Sequence, residues 1–69
     1  MKLTWQDKED LGFELSEKYP DINPLTVRFT DLHKMIIELN DFSDDPKKSS
    51  EGILESIQMI WYEEWSENQ

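Results

Sequence analysis

The chain contains no cysteine in its 69 residues. No disulfide can stabilise the fold, and no thiolate is present to bind a metal or to act as a nucleophile. A chain this short buries only about 60% of the surface that its unfolded form exposes, so its stability must come from apolar packing. Three Trp, three Phe and two Tyr can supply it, because aromatic side chains bury large areas. We expect one domain over residues 1–69.

Apolar residues recur at helical spacing in three segments, which predict helices over about residues 5–18, 31–39 and 51–65. The candidate N-caps of these helices are Thr4, Thr30, and Ser49 or Ser50. A further short helical turn is predicted at Asn23 and Pro24, an N-cap followed by a proline at the first helical position. No segment shows the sustained apolar–polar alternation of a strand. The sequence therefore predicts an all-α fold, a small bundle of three main helices.

The same spacing predicts a single hydrophobic core, because the apolar stripes of all three helices need to be covered. Its expected members are Leu15, Leu32, Ile36, Leu54, Ile57 and Trp61.

Acidic residues collect on one side of the first predicted helix, opposite the apolar stripe of Leu11 and Leu15. At 100° per residue, the residues that share this side are Glu9, Asp10, Phe13, Glu14 and Glu17, here called the acidic face. A phenyl ring amid carboxylates does nothing for solubility, so we interpret the acidic face as a partner-binding surface. The alternative is a solvated helix face with one exposed apolar residue.

A second acidic cluster, Asp41, Asp44 and Asp45, lies in the only long predicted loop. Clustered carboxylates are hard oxygen ligands that suit hard cations, so these three residues are candidate ligands of a weak metal site. They do not form an EF-hand, because Pro46 and Gly52 occupy the positions where that loop requires glycine and glutamate. The alternative is that the aspartates only shape turns and a helix entry.

The formal net charge of -9 indicates which partners the protein can bind. It repels phosphate backbones and anionic membranes, and it favours basic protein surfaces and cations. A helix, the short helical turn and the helix over residues 31–39 could form a helix-turn-helix, but Asp31 and Glu38 on that recognition helix would face the phosphates. Nucleic-acid binding is therefore the least favoured alternative.

The sequence offers no catalytic residues. It has no Gly-rich phosphate loop. Its one histidine, His33, lacks a second His or Cys for a zinc site, so we expect a partly exposed side chain with either a structural or a solvent-facing role. No stretch approaches the roughly 20 apolar residues of a membrane span. The N-terminus lacks the apolar run of a signal peptide, which predicts a cytoplasmic location.

The central stretch, residues 19–33, resembles the signature of the IscX family, small acidic accessory proteins of bacterial iron–sulfur cluster assembly. The matching residues there are Tyr19, Pro20, Asp21, Pro24, Val27, Arg28, Phe29, Thr30 and Asp31. Further matches are Trp5, Leu11, Gly12, Asp41, Phe42, Asp44, Asp45, Pro46, Ile53, Leu54, Glu55 and Trp61. The resemblance thus covers about residues 5–64, nearly the whole chain.

This resemblance implies a cytoplasmic, monomeric helical bundle of winged-helix-like topology. It implies binding to the cysteine desulfurase of the assembly system, at a basic surface also used by frataxin, and weak iron binding through surface carboxylates. Modulation of the desulfurase and donation of iron both remain open as roles. The chain departs from the family pattern at Ile22-Asn23, which replace a more acidic pair, at Lys47-Lys48 after the acidic loop, and at Phe13, where an acidic or polar residue is expected.

Overall fold

The computed structural model describes residues 2–69 and contains three α-helices. These are α1 (Lys8–Lys18), α2 (Phe29–Ile37) and α3 (Glu51–Glu67), with short 3-10 turns at Pro24–Thr26 and Pro46–Lys48. The prediction of an all-helical fold with three main helices is confirmed. The winged-helix-like detail is not confirmed, because the β pairing in residues 2–69 is limited to an isolated parallel bridge between Leu3 and Phe42.

Helix α1 begins three residues later than predicted, at Lys8 rather than Trp5. Thr4 is therefore not the N-cap of α1, and it pairs with Asp7 in a separate turn before the helix. One Asp7 carboxylate oxygen accepts hydrogen bonds from the backbone N–H of Thr4 at 2.9 Å and from its hydroxyl at 3.2 Å. The first helical bond then runs from Leu11 N–H to the Asp7 carbonyl. Trp5 is consequently released from the helix and is buried in the core.

Helix α2 begins and ends two residues earlier than predicted. Thr30 is not its cap, since the N–H of Leu32 already donates to the carbonyl of Arg28 at 2.8 Å and brings Phe29 into the first turn. The helix ends at Ile37, after which the N–H of Leu39 bonds to the Ile36 carbonyl three residues back. These shifts leave the predicted core positions of α2 unchanged, because the helical register is the same.

Two predicted caps are present. The Asn23 side chain accepts a hydrogen bond from the N–H of Leu25 at 3.0 Å and starts the first 3-10 turn. The Ser50 hydroxyl accepts from the N–H of Ile53 at 3.3 Å, so α3 begins at Glu51 as predicted and extends two residues beyond the expected end.

One hydrophobic core joins all three helices, and every predicted core residue is in it. The buried apolar residues are Leu3, Trp5, Leu11, Leu15, Leu32, Ile36, Leu39, Leu54, Ile57 and Trp61. The largest helix contact is between α1 and α3. It is close at Gly12, where a Cβ would stand 2.5 Å from Ile60 Cγ2 and 3.0 Å from the backbone nitrogen of Trp61. A larger residue at position 12 would push the two helices apart.

Candidate partner-binding surface

Helix α1 presents the acidic face to solvent, as its sequence spacing predicts. Glu9, Asp10, Phe13 and Glu17 are exposed and Glu14 is half-buried, whereas Leu11 and Leu15 on the opposite side are fully buried. The four carboxylates therefore lie around one apolar ring on a single rigid element. Such a surface combines long-range attraction for positive charge with a short-range apolar contact.

Phe13 is 49% exposed and forms one side of a groove of about 530 Å³ between α1 and the end of α3. Trp65 and Pro20 also line the groove, and the Trp65 indole N–H donates to the carbonyl of Pro20 at 3.0 Å. The sequence does not identify Trp65 as part of this groove. Trp65 lies one turn after Trp61, which predicts that it faces the core side of α3. Its hydrogen bond to a loop residue 45 positions away produces no pattern in the neighbouring sequence.

A second groove lies between the acidic face and Asp41 of the loop. Its lining residues include Glu14 and Glu17 of α1 and Asp41 of the loop. Of the three loop aspartates, Asp41 is therefore the one that shares a groove with the acidic face. Lys18 lies at the edge of the same groove and is the basic residue nearest to these carboxylates in the lining.

The carboxylate of Asp44 accepts hydrogen bonds from the protein's own backbone. Its Oδ2 accepts from the N–H of Trp5 at 3.1 Å, and its Oδ1 accepts from the N–H of Asp45 at 2.7 Å. These two hydrogen bonds, and to a smaller degree the charge of Lys48, hold the pKa of Asp44 below its ordinary value. Asp44 thereby joins the N-terminal segment to the loop.

The other two loop aspartates do not complete a metal site with Asp44. The Asp45 side chain caps the second 3-10 turn by accepting from the N–H of Lys47 at 2.9 Å, and the Asp41 backbone carbonyl accepts from Leu3. Within residues 2–69, no three His, Cys, Asp or Glu side chains converge in a group that could hold a metal ion. The three aspartates therefore do not form a ready-made cluster of ligands, and the turn-shaping interpretation describes the geometry of Asp44 and Asp45.

Trp5 holds this loop against the rest of the protein. Its indole N–H donates to the carbonyl of Asp45 at 2.7 Å, and its ring stacks on His33 with centroids 5.5 Å apart. His33 is half-buried, and its Nε2 donates to the carbonyl of Pro46 at 2.7 Å. Of the two roles expected for His33, the structural one is confirmed, and its partners come from the N-terminal segment and the loop.

Asp31 on α2 and Glu38 at its C-terminal cap are both exposed, and these two acidic residues argue against docking this helix on a phosphate backbone. In the part of the chain that the structure describes, no helix is both long enough and apolar enough to cross a membrane.

Comparison with known proteins decides the family. The model of a family described as "Iron-sulphur cluster assembly" matches residues 3–66. The chain belongs to this family. The resemblance to IscX is thereby confirmed over nearly the whole chain. The chain is also 44% identical over 64 residues to the uncharacterized protein PA3808 of Pseudomonas aeruginosa, a match that covers 93% of this chain and 97% of that protein.

The matched region of this iron–sulphur cluster assembly protein includes the acidic face, the aspartate loop and nearly all of α3. Family membership gives the process in which the protein takes part.

Proposed function

We propose that this protein is an accessory factor of iron–sulfur cluster assembly that docks its acidic face on a basic surface of the cysteine desulfurase and modulates cluster formation. The family points to an accessory protein rather than an enzyme. The observation that carries the proposal is the placement of Glu9, Asp10, Glu14 and Glu17 around Phe13, on the side of α1 away from the core. We propose that it acts as a monomer in the cytoplasm.

Electrostatic attraction should govern how fast the complex forms. Opposite charges on two protein surfaces raise association rates by about 10- to 1000-fold at low salt. Screening removes most of this gain, since the Debye length falls from about 10 Å at 0.1 M salt to about 3 Å at 1 M. The net charge of -9 favours attraction to a basic surface. The acidic face should orient the protein as it approaches that surface.

The test is surface plasmon resonance against the desulfurase at two ionic strengths. Asp10→Lys with Glu14→Lys reverses two charges on the acidic face. The matched control, Glu55→Lys with Glu63→Lys, makes the same change in net charge at exposed positions of α3. The acidic-face variant should associate at least about 10-fold more slowly than the control and lose most of its salt dependence.

Equal association rates for the two double variants would refute this docking surface and leave only a diffuse effect of net charge. Phe13→Ala separates the two kinds of contact. It should accelerate dissociation and leave the salt dependence of association unchanged, because the ring makes a short-range contact that forms after encounter.

Weak iron binding is a separate proposal, located at Asp41, Asp44 and Asp45. Metal coordination there must compete with the hydrogen bonds that the Asp44 carboxylate accepts from Trp5 and Asp45. This competition is a physical reason for a low affinity for iron. The docking proposal does not depend on iron binding.

A further inference from the structure

The groove between α1 and the end of α3 has two aromatic side chains, Phe13 and Trp65, among its lining residues. The groove is open to solvent beside the acidic face, so a partner that docks on the acidic face also contacts the groove. Its volume of about 530 Å³ is large enough for one long side chain of a partner.

Hydrogen bonds hold the Trp65 side of the groove in place. The carbonyl of Pro20 accepts from the Trp65 indole N–H at 3.0 Å and from the Gln69 side chain at 3.4 Å. On the other side, the Ser16 hydroxyl donates to the carbonyl of Phe13 at 2.7 Å, and Ser16 is itself 8% exposed. Because the Trp65 indole is already fixed, it loses little conformational freedom when a ligand enters.

The charge of the groove selects the kind of side chain that fits. Exposed carboxylates of Glu17 and Asp21 line it, and the other described lining residues are aromatic, proline, serine or amide side chains with no Lys or Arg among them. The carboxylates of the groove would attract both arginine and lysine side chains. A guanidinium is planar, stacks on aromatic rings and bonds carboxylates with two parallel N–H groups, whereas an ammonium is a compact, strongly hydrated charge.

We infer that this groove is a subsite that takes one arginine side chain from the basic surface of the partner, in preference to lysine. The guanidinium lies against the rings of Phe13 and Trp65 and pairs with the carboxylates of Glu17 and Asp21. This inference rests on the proposed docking function, and it assigns Phe13 and Trp65 as the residues that distinguish arginine from lysine. The remaining acidic face attracts both side chains alike.

Two peptides of equal charge, tetra-arginine and tetralysine, test this preference by NMR titration of ¹⁵N-labelled protein. Tetra-arginine should shift the Trp65 indole N–H signal and the amide signals of Phe13 and Glu17, with an affinity on the order of 3- to 10-fold higher than that of tetralysine. The indole signals of Trp5 and Trp61, both fully buried, serve as internal references. Equal affinities, or shifts that avoid the groove, would overturn the inference.

Phe13→Ala and Met59→Ala form a matched pair for the same titration, because the two side chains are 49% and 47% exposed and Met59 is not among the groove-lining residues. Phe13→Ala should abolish the preference for arginine while both peptides still bind through charge. Met59→Ala should leave the preference intact. A preference that survives Phe13→Ala and Trp65→Leu equally would exclude aromatic selection by the groove.

Binding to the desulfurase distinguishes failure of this inference from failure of the proposed function. If the desulfurase binds the wild type and the Phe13→Ala variant with the same affinity, the groove is not a subsite and Phe13 makes no contact with the desulfurase. Docking through the carboxylates of the acidic face is then decided by the charge-reversal variants alone. If the desulfurase does not bind the wild type, the docking proposal fails, and with it the assignment of the arginine to that partner. An arginine preference that depends on Phe13 would then still support the groove as an arginine subsite.

Discussion

The carboxylate of Asp44 accepts the backbone N–H of Trp5 at 3.1 Å across 39 positions of the sequence. This bond and the indole N–H bond of Trp5 to the Asp45 carbonyl connect the first residues of the chain to the loop before α3. The loop predicted as a metal site therefore also helps to hold the fold together. Its aspartates have to be tested for stability before they are tested for iron.

We predict that Asp44→Asn destabilises the protein at pH 7. The pKa of Asp44 is lowered in the folded protein by hydrogen bonds to its ionised form. A lowered folded-state pKa contributes stability at pH values above the unfolded-state pKa of 3.8, and this contribution disappears as the pH falls through the folded-state value. The difference in urea midpoint between wild type and variant should therefore be greatest near pH 7 and should shrink as the pH falls below about 4.

Glu55→Gln is the control for this experiment, because it removes one carboxylate from an exposed position of α3. Its effect on stability should be small at every pH. A midpoint difference for Asp44→Asn that does not change with pH would contradict the assigned role of the ionised carboxylate.

For iron, we predict that Asp41→Asn combined with Asp45→Asn weakens ferrous iron binding more than it weakens desulfurase binding. Metal binding needs several oxygens at one point, whereas docking depends on charge spread over the acidic face. The variant spares Asp44, and the amide side chain introduced in place of Asp45 keeps an oxygen that can accept the Lys47 N–H. Anaerobic calorimetry with ferrous iron measures the effect, with Asp31→Asn combined with Glu55→Gln as the charge-matched control. An iron affinity equal to that of the control would move the site to another set of carboxylates.

The two glycines of the chain should respond to alanine in opposite directions. In Gly12→Ala the new Cβ meets Ile60 atoms at 2.5 and 2.9 Å. Overpacking of this kind costs about 1–3 kcal/mol, which exceeds the gain of at most about 1 kcal/mol in helix propensity. In Gly52→Ala the nearest atom is the Ser50 hydroxyl oxygen at 3.9 Å, so only the gain remains.

Thermal unfolding measures both glycine variants. Gly12→Ala should lower the melting temperature by several degrees, since 1 kcal/mol corresponds to about 4–8 °C in a domain of this size. Gly52→Ala should leave it unchanged or raise it. A Gly12→Ala protein as stable as wild type would show that α1 and α3 can separate without loss of packing.

The sequence predicts those parts of the structure that depend on neighbouring residues. Helical spacing of apolar residues identifies the core of α1, α2 and α3, and local side-chain chemistry identifies the caps at Asn23 and Ser50. The acidic face follows from the same helical geometry, because all its residues lie within about two turns of one helix.

The features that the sequence does not reveal are long-range contacts of single residues. Trp5 is predicted to begin α1 but bonds to the loop 40 positions away, and Trp65 bonds to Pro20 at a separation of 45. Neither contact leaves a periodic signal. The sequence also cannot distinguish a carboxylate that binds metal from one that accepts backbone N–H groups, which is the case for Asp44.

The core tryptophans provide the last prediction, because they are equally buried but differ in hydrogen bonding. Trp5 and Trp61 are 1% and 0% exposed. The Trp5 indole N–H donates to the Asp45 carbonyl at 2.7 Å, whereas the Trp61 Nε1 has no hydrogen-bond partner among the described residues. A buried donor without a partner costs about 1–3 kcal/mol, and a satisfied one contributes about 0.5–1.5 kcal/mol.

We therefore predict that Trp61→Phe is better tolerated than Trp5→Phe, although both changes remove the same atoms. Trp61→Phe eliminates the unsatisfied donor, which offsets part of the lost packing, and Trp5→Phe breaks a hydrogen bond in addition to that loss. The difference in unfolding free energy should be at least about 1 kcal/mol. Trp61→Ala should lower the free energy of unfolding by about 3–5 kcal/mol, because the indole of Trp61 stabilises the core through the packing of its rings. Urea denaturation of the three variants measures these differences, and a Trp61→Phe protein less stable than Trp5→Phe would mean that the Trp61 N–H is satisfied in solution.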